Sequence, residues 1–343
     1  MKILAIETSC DETAAAVIED GVKILSNIVA SSAEMHAKTG GVIPEIAARQ
    51  QLKSIVPVIS EALAEAQVTP ENLDAIAVTV GPGLIGSLLV GVETAKTLSL
   101  VWQKPILPVN HLVGHIYANW LEKDVLPEFP CLALVVSGGH TDLVMMESHG
   151  KIKWVGGTRD DAAGEAFDKT ARLLSLPYPG GPNLSRLAQK YISKHEEKLE
   201  FFPRPIINEN NYDWSFSGLK TAVARELQGK RLEEKDQEEM AAEVQEAIVD
   251  CLVVKTQKAI EDLEPKSFVL AGGVAANNRL REKFGVSLHE KLQVSFHVPE
   301  IPWCTDNGAY IGAAAYFLQK FDPNYRSIPW QEIVANPQLT IED

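Results

Sequence analysis

The residues Lys2-Ile-Leu-Ala-Ile6 run straight into Glu7-Thr-Ser-Cys10, and Leu132-Ala-Leu-Val-Val136 run in the same way into Ser137-Gly-Gly-His-Thr141. Short unbroken apolar runs bounded by small polar residues read as buried strands entering tight turns. In both places a second apolar run follows, over 13–18 and 143–146, and a glycine closes the hairpin beyond it, Gly21 or Gly150. Each half then repeats another device: a strand, a glycine turn and a helix. Residues 74–80 lead into Gly81-Pro-Gly-Leu-Ile-Gly-Ser87 and a helix to about 100, while 267–270 lead into Ala271-Gly-Gly-Val-Ala-Ala-Asn-Asn278 and a helix to about 284. Two matching devices in one order predict a duplicated α/β fold of two lobes. Turns of small residues and glycine turns at helix N-termini both offer backbone amides to an anion.

Between the second hairpin and its late strand, helices are expected over 160–175, 183–200, 217–229 and 234–263. In the last, Met240, Val244, Ile248, Leu252 and Ala259 form one apolar stripe at three-to-four spacing, which is core.

The chain has 343 residues, a length for about two domains. Its 45% hydrophobic and 23% charged residues exclude a disordered or low-complexity chain. With 32 Lys and Arg against 46 Asp and Glu, the net charge is −14. Such a chain is a poor overall attractor for nucleic acid or anionic membranes, so any such contact needs a local basic patch or a partner protein. Asp11 and Glu12 arrive before any signal-peptide core, and Glu93 and Lys96 are expected to break the apolar run around them short of a membrane span. Cys10, Cys131, Cys251 and Cys304 lie far apart with no CxxC, as reduced thiols would. These features predict a cytoplasmic protein with no membrane contact.

Several motifs carry possible chemistry. Gly81 to Gly86 fits G-x-G-x-x-G after a strand, but it is not the first β-α turn and no acid follows at the ribose-binding distance, so close packing of helix on strand explains it better. No P-loop lysine motif is present. His111-Leu-Val-Gly-His115 puts two imidazoles on one face of a helix turn. Leu112 stands where a zinc protease has its glutamate, which excludes that chemistry. Two readings of the pair remain: structural histidines, or metal ligands needing a distant third such as Asp306. Asp161, Glu165 and Asp168 are expected on one helix face, where Lys169 and Arg172 offer them ion pairs or a ribose offers them hydroxyls. Asp11 and Glu12 sit in a turn between buried strands, where acids are costly without a role as metal or substrate neighbours.

Taken together, these motifs resemble one family. Ile6-Glu-Thr-Ser-Cys-Asp-Glu-Thr13, Gly40-Gly-Val-Ile-Pro-Glu45, Gly81-Pro-Gly-Leu84, the His111 and His115 motif, and Val136-Ser-Gly-Gly-His-Thr141 are similar to the TsaD family. So are the stretches from Asp161 to Lys169, Tyr178-Pro-Gly-Gly-Pro182, Phe216-Ser-Gly-Leu-Lys220, Ala271 to Asn277 and Cys304-Thr-Asp-Asn-Gly308. These are bacterial tRNA adenosine threonylcarbamoyltransferases, once called O-sialoglycoprotein endopeptidases. The resemblance spans about 1–320 and implies an actin-like ATPase fold, that of sugar kinases, heat-shock proteins and actin, in two duplicated α/β lobes. Its expected division is a first lobe over 1–128, a second over 129–325 with a helical insertion at 183–264, a helix at about 307–320 near the lobe interface, and a tail over 326–343.

The implied reaction moves the threonylcarbamoyl group of threonylcarbamoyl-AMP to N6 of adenosine 37 in tRNAs that read codons beginning with A. By residue-for-residue similarity, His111, His115 and Asp306 hold one divalent metal, iron or zinc. Val135, Val136, Ser137, Gly138 and Gly139 wrap the donor's phosphate and acyl part, Asp168 and Gly181 meet its ribose, and Asn277 lies on its adenine side. Asp11 and Glu12 order the acyl transfer, and ATP or ADP is a further possible ligand. Many relatives place Glu between the histidines where this chain has Val113, which removes one hydrogen bond behind the metal. The resemblance also implies a shorter inactive homologue as dimer partner, a small P-loop ATPase, and a homodimer when that partner is absent. Lys220, Arg225, Arg279 and Arg281 are the expected basic patch for tRNA.

Overall fold

The computed structural model describes residues 1–37, 39–195, 199–229, 232–291 and 294–343, with only the backbone of 289–291. The chain opens with strands β1 (Lys2–Glu7), β2 (Glu12–Glu19) and β3 (Lys23–Ser31), then helices α1 (Ala33–Ala37) and α2 (Pro44–Glu65). Next come β4 (Ala75–Gly81), α3 (Ile85–Trp102), β5 (Ile106–Asn110) and α4 (His111–Tyr117). A second set follows: β6 (Cys131–Val136), β7 (Thr141–Ser148), β8 (Lys151–Gly157), then α5 (Ala163–Leu173), α6 (Gly180–Ile192), α7 (Ser217–Glu226) and α8 (Glu234–Leu263). The chain closes on β9 (Ser267–Ala271), α9 (Asn278–Lys291), β10 (Ser295–His297) and α10 (Gly308–Phe321).

Two sheets of five strands result, ordered β3-β2-β1-β4-β5 and β10-β9-β6-β7-β8. Counted from the start of each half, both have the order 3-2-1-4-5, which is the duplication expected from the two hairpins. β1 pairs antiparallel with β2, from Lys2↔Glu19 to Glu7↔Ala14, and parallel with β4. β1 and β6 are the central strands, buried on both faces, so each reads as a continuous apolar run rather than an alternating one.

The chain divides into two compact units, one of residues 1–131, 146–153 and 299–343, the other of 132–145 and 154–298. In the first, α2 and α3 lie against the sheet over a core that includes Leu4, Ile6, Val17, Ile59, Val78 and Val92. α10 packs on β1, β2 and α4. Its Gly308 and Gly312 lie so close to Ala15, Ala16 and Ile18 that any Cβ would collide, and their bareness lets the helix settle on the sheet. The stretch 326–343 belongs to this unit, with Ile333 and Ile341 buried.

Three expectations change. α5 begins at Ala163, so Asp161 precedes the helix and shares no helix face with Glu165 and Asp168. α6 covers Gly180–Ile192 rather than 183–200, of which 196–198 lie outside the described residues. Glu93 and Lys96 do not break α3: they form an ion pair at 2.8 Å, and the helix is long and apolar enough by composition to cross a membrane, although here it packs on α2 and β4.

Candidate functional site

The first unit brings His111, His115 and Asp306 together. Asn110 ends β5 and starts α4, its side-chain oxygen accepting from the Leu112 amide at 3.0 Å, so the helix begins at His111. One turn later comes His115, with the imidazole centroids 4.6 Å apart. Between them Gly114 meets α10 so closely that a Cβ would press on Ile311 and Tyr310, which explains the glycine of the motif. Asp306 immediately precedes α10, whose start is capped by the Asn307 side chain. Its Oδ1 lies 3.8 Å from His111 Nε2 and 3.5 Å from His115 Nε2, and one ligand atom from each of the three fits within 4.8 Å.

Behind His111 lies a residue that sequence reading missed. Glu7, at the end of β1, is fully buried, and its Oε2 sits 3.0 Å from His111 Nδ1. Thr79 donates to the same oxygen at 2.6 Å and the Ser9 amide donates to Oε1 at 2.5 Å. The Ser9 hydroxyl is also 3.2 Å from His111 Nδ1. A carboxylate on Nδ1 leaves Nε2 turned toward Asp306, which is how a ligating histidine is usually oriented. Glu7 therefore supplies the backing hydrogen bond that Val113 does not. No local pattern marks it, because its partner is 104 residues away.

The electrostatics follow from this crowding. Burial works against charge on Glu7, but the His111 imidazole and three hydrogen bonds hold its carboxyl below the usual range. Burial opposes protonation of His111, yet Glu7 and Asp306 raise it to about 9. Burial lifts Asp306 to about 6, with His111 opposing. Glu12 is pushed up to about 9 by burial, then by Asp306 and Asp11; its Oε1 accepts from Ser31 at 2.9 Å. Asp11 lines a cleft of about 160 Å³ with Thr13, Ser31, Ser32, Gln50 and Ser54.

The second unit holds the residues expected around a nucleotide. Val135 and Val136 lie wholly buried within β6, the Ser137 amide donates to His140 O at 2.9 Å, and the turn's two glycines are exposed while Ser137 and His140 are half-buried. Cβ atoms placed on Gly138 or Gly139 would meet open space. Beneath the turn, Gly164 approaches Ser137 O, and Gly272, at φ +89°, approaches Val136 O too closely for any side chain. Asp168 and Gly181 are brought together, the amide donating to the carboxylate at 3.0 Å. Burial raises the Asp168 carboxyl, with the Gly181 and Gly180 amides opposing. The Asn277 amide donates to Ser185 and Gln245 at 2.8 and 3.0 Å and caps α9 by accepting from Leu280.

The expected basic patch is mostly spoken for. Lys220 pairs with Asp161 at 3.3 Å, Arg279 with Glu246 and Glu282 at 2.5 and 2.9 Å, and Arg281 donates to Ala275 O at 2.6 Å. Of the four, only Arg225 is exposed.

Over residues 23–313 the chain matches the TsaD family, described as tRNA N6-adenosine threonylcarbamoyltransferase. The protein of that name from Geobacillus thermodenitrificans is 52% identical over 319 residues, covering 92% of this chain and 91% of the relative. Its namesake from Halalkalibacterium halodurans is 50% identical over 343 residues, covering 99% and 96%. Among solved structures, T. kodakarensis HypF superposes with a TM-score of 0.61 at 15% identity, over 93% of this chain and 48% of that one. Component A of the Acidaminococcus fermentans (R)-2-hydroxyglutaryl-CoA dehydratase gives 0.55 at 15%, over 93% and 98%. At such identities the likeness shows the fold alone, and the fold is the actin-like ATPase fold. The chain thus belongs to the tRNA N6-adenosine threonylcarbamoyltransferase family.

Proposed function

We propose that His111, His115 and Asp306 hold one divalent cation, iron or zinc, in a transferase that modifies tRNA. Two imidazoles and a carboxylate converging within 4.8 Å, with Glu7 behind one imidazole, are the observation that carries the cation reading. When bound, such a cation supplies a Lewis acid that orients the acyl donor and stabilises negative charge on it.

The donor in this reading is threonylcarbamoyl-AMP. The exocyclic amine of adenosine 37 attacks the carbamoyl carbon and gives up one proton, the C–O bond to phosphate breaks, and AMP leaves. That amine is a poor nucleophile because its lone pair is delocalised into the ring, so the chain must bind and aim an activated donor. The Gly138 and Gly139 amides receive the phosphate, Asp168 and Gly181 the ribose, and Asn277 lies on the adenine side. Asp11, which lines the cleft, and Glu12 order the transfer.

Because net charge is −14 and three of the four expected cations are engaged, tRNA is gripped jointly with partner proteins. A shorter inactive homologue and a small P-loop ATPase fill that role, and Leu52 and Val56 on α2 with Ile85 and Leu89 on α3 give it exposed apolar surface. Four free cysteines suit a cytoplasmic location. Incubating the chain with tRNA, donor adenylate and both partners should yield threonylcarbamoyladenosine by nucleoside mass spectrometry. Its absence with metal-loaded protein would overturn the reading.

A further inference from the structure

We infer that residues 336–343 form a strap that positions the His111–His115 pair. The inference rests on the reading of that pair as cation ligands. The strap lies beyond the stretch that the family model matches, residues 23–313, though the Halalkalibacterium halodurans relative aligns with 99% of the chain. It runs past the carboxyl ends of β4 and β5, the edge where α/β sheets place their functional loops.

Two hydrogen-bonded routes lead from it to His111. The first passes through Asn110, whose two ends do different work. Its oxygen caps α4, while its nitrogen donates to Thr340 O at 2.7 Å and Asp343 O at 3.5 Å. The residue that starts the ligand helix is thereby tied to the strap. The second route passes through the glycine turn after β4. Asn336 N donates to Val80 O at 2.7 Å, and Gly83 N donates to Pro337 O at 3.5 Å. Leu84 N then donates to Ser9 O at 2.7 Å, and the Ser9 hydroxyl reaches His111 Nδ1.

The fit is close enough to need glycine. Gly81, at φ +154°, would drive a Cβ into Asn336 O, and Gly83, at φ +155°, would drive one into Ser9 O. Thr340 and Asp343 close the strap on itself, Thr340 N and Oγ1 donating to Asp343 Oδ2 at 2.7 and 2.9 Å. Ile341, 3% exposed, anchors it. These residues touch no ligand atom, so they are positioning residues.

Two variants separate the strap from the cap: a chain lacking 336–343, and Asn110→Ser, which keeps an N-cap acceptor and loses the donors to the strap. Co²⁺ serves as the probe, followed by its visible absorption, and amide hydrogen exchange is followed in the metal-free chain. The shortened chain should bind Co²⁺ about tenfold more weakly with a changed absorption envelope, as loss of outer supports does elsewhere. Asn110→Ser cuts one of the two routes and should weaken binding less, and the double variant should be no worse than the shortened chain, which has already lost the connection that Asn110→Ser removes. Exchange at Gly83, Leu84 and Leu112 should rise about tenfold in the shortened chain. Unchanged Co²⁺ affinity and unchanged exchange in a folded variant would overturn the strap's role. If the shortened chain does not fold, the same null result in Asn110→Ser overturns it. Should the intact chain bind no Co²⁺, the cation reading fails while the exchange rates still decide the strap.

Discussion

The two halves share a strand order but treat their turns in opposite ways. In the first, the hairpin turn carries side chains inward, Glu7 and Ser9 to His111, and the glycine turn after β4 is roofed by Asn336 and Pro337. In the second, the hairpin turn is bare at Gly138 and Gly139, and Gly273 of the later turn also faces open space. Glycine thus does two jobs in one duplicated framework. Where neighbours press on it, it permits close packing; where nothing does, it leaves backbone amides open to an anion. Divergence after duplication lies in what covers the turns.

Removing a ligand from the first half should have the largest effect. His111→Ala, His115→Ala or Asp306→Ala should each lower bound metal at least a hundredfold and abolish transfer, measured by metal analysis and nucleoside mass spectrometry. Full occupancy in His111→Ala would leave the filled turn without its purpose. Next comes Glu7→Ala, which strips a buried carboxylate from His111, Thr79 and the Ser9 amide. It should cost about 3 kcal/mol in denaturant unfolding and weaken metal binding at least tenfold.

A matched pair tests the glycines directly. Gly81→Val should destabilise by about 3 kcal/mol, since φ +154° and the Asn336 carbonyl both exclude a side chain. Gly138→Val should leave the melting temperature nearly unchanged and weaken binding of an AMP-containing donor analogue at least tenfold. Equal stability losses in the two variants would erase the distinction between covered and open turns.

The smallest effect concerns the far ends of the hairpins, where the halves agree. Gly21 packs against Tyr316 and Phe317, and Gly150 against Asp322. Beside Gly150, His149 stacks on Phe317 and Phe321 and bonds Tyr117 Oη at 2.8 Å. Burial lowers its pKa from 6.5 to about 4. Between those values the unfolded chain binds the proton that the folded chain refuses, so this contribution is complete above pH 6.5 and lost as pH falls toward 4. His149→Phe should therefore lose less melting temperature than the parent between pH 7 and pH 5. Parallel losses would mean that the ring's burial does not govern its protonation.

The central strands were legible because β1 and β6 are buried on both faces, and a continuous apolar run between turn residues has few other uses. β3 and β8 were not, since their partly exposed residues give neither a continuous run nor a clean alternation. β5 contains Pro108 and β10 has three residues, too little pattern to read. The i, i+4 histidines were visible for a helical reason, while Asp306 was a candidate third ligand that spacing could not prove and that the family resemblance then assigned.

What the amino-acid order determined by itself was local: paired hairpins, glycine turns, an imidazole pair one helical turn apart and a long apolar helix stripe. Tertiary structure alone decided which acids matter. Glu7 and Glu12 are five residues apart in one motif, yet β1 delivers Glu7 to His111 while Glu12 meets Ser31, and Arg279, expected in a basic patch, pairs with Glu246. Hydrogen bonds and ion pairs act over about 3 Å, and that proximity is set by packing between residues 19 to 104 positions apart, a separation no local pattern records.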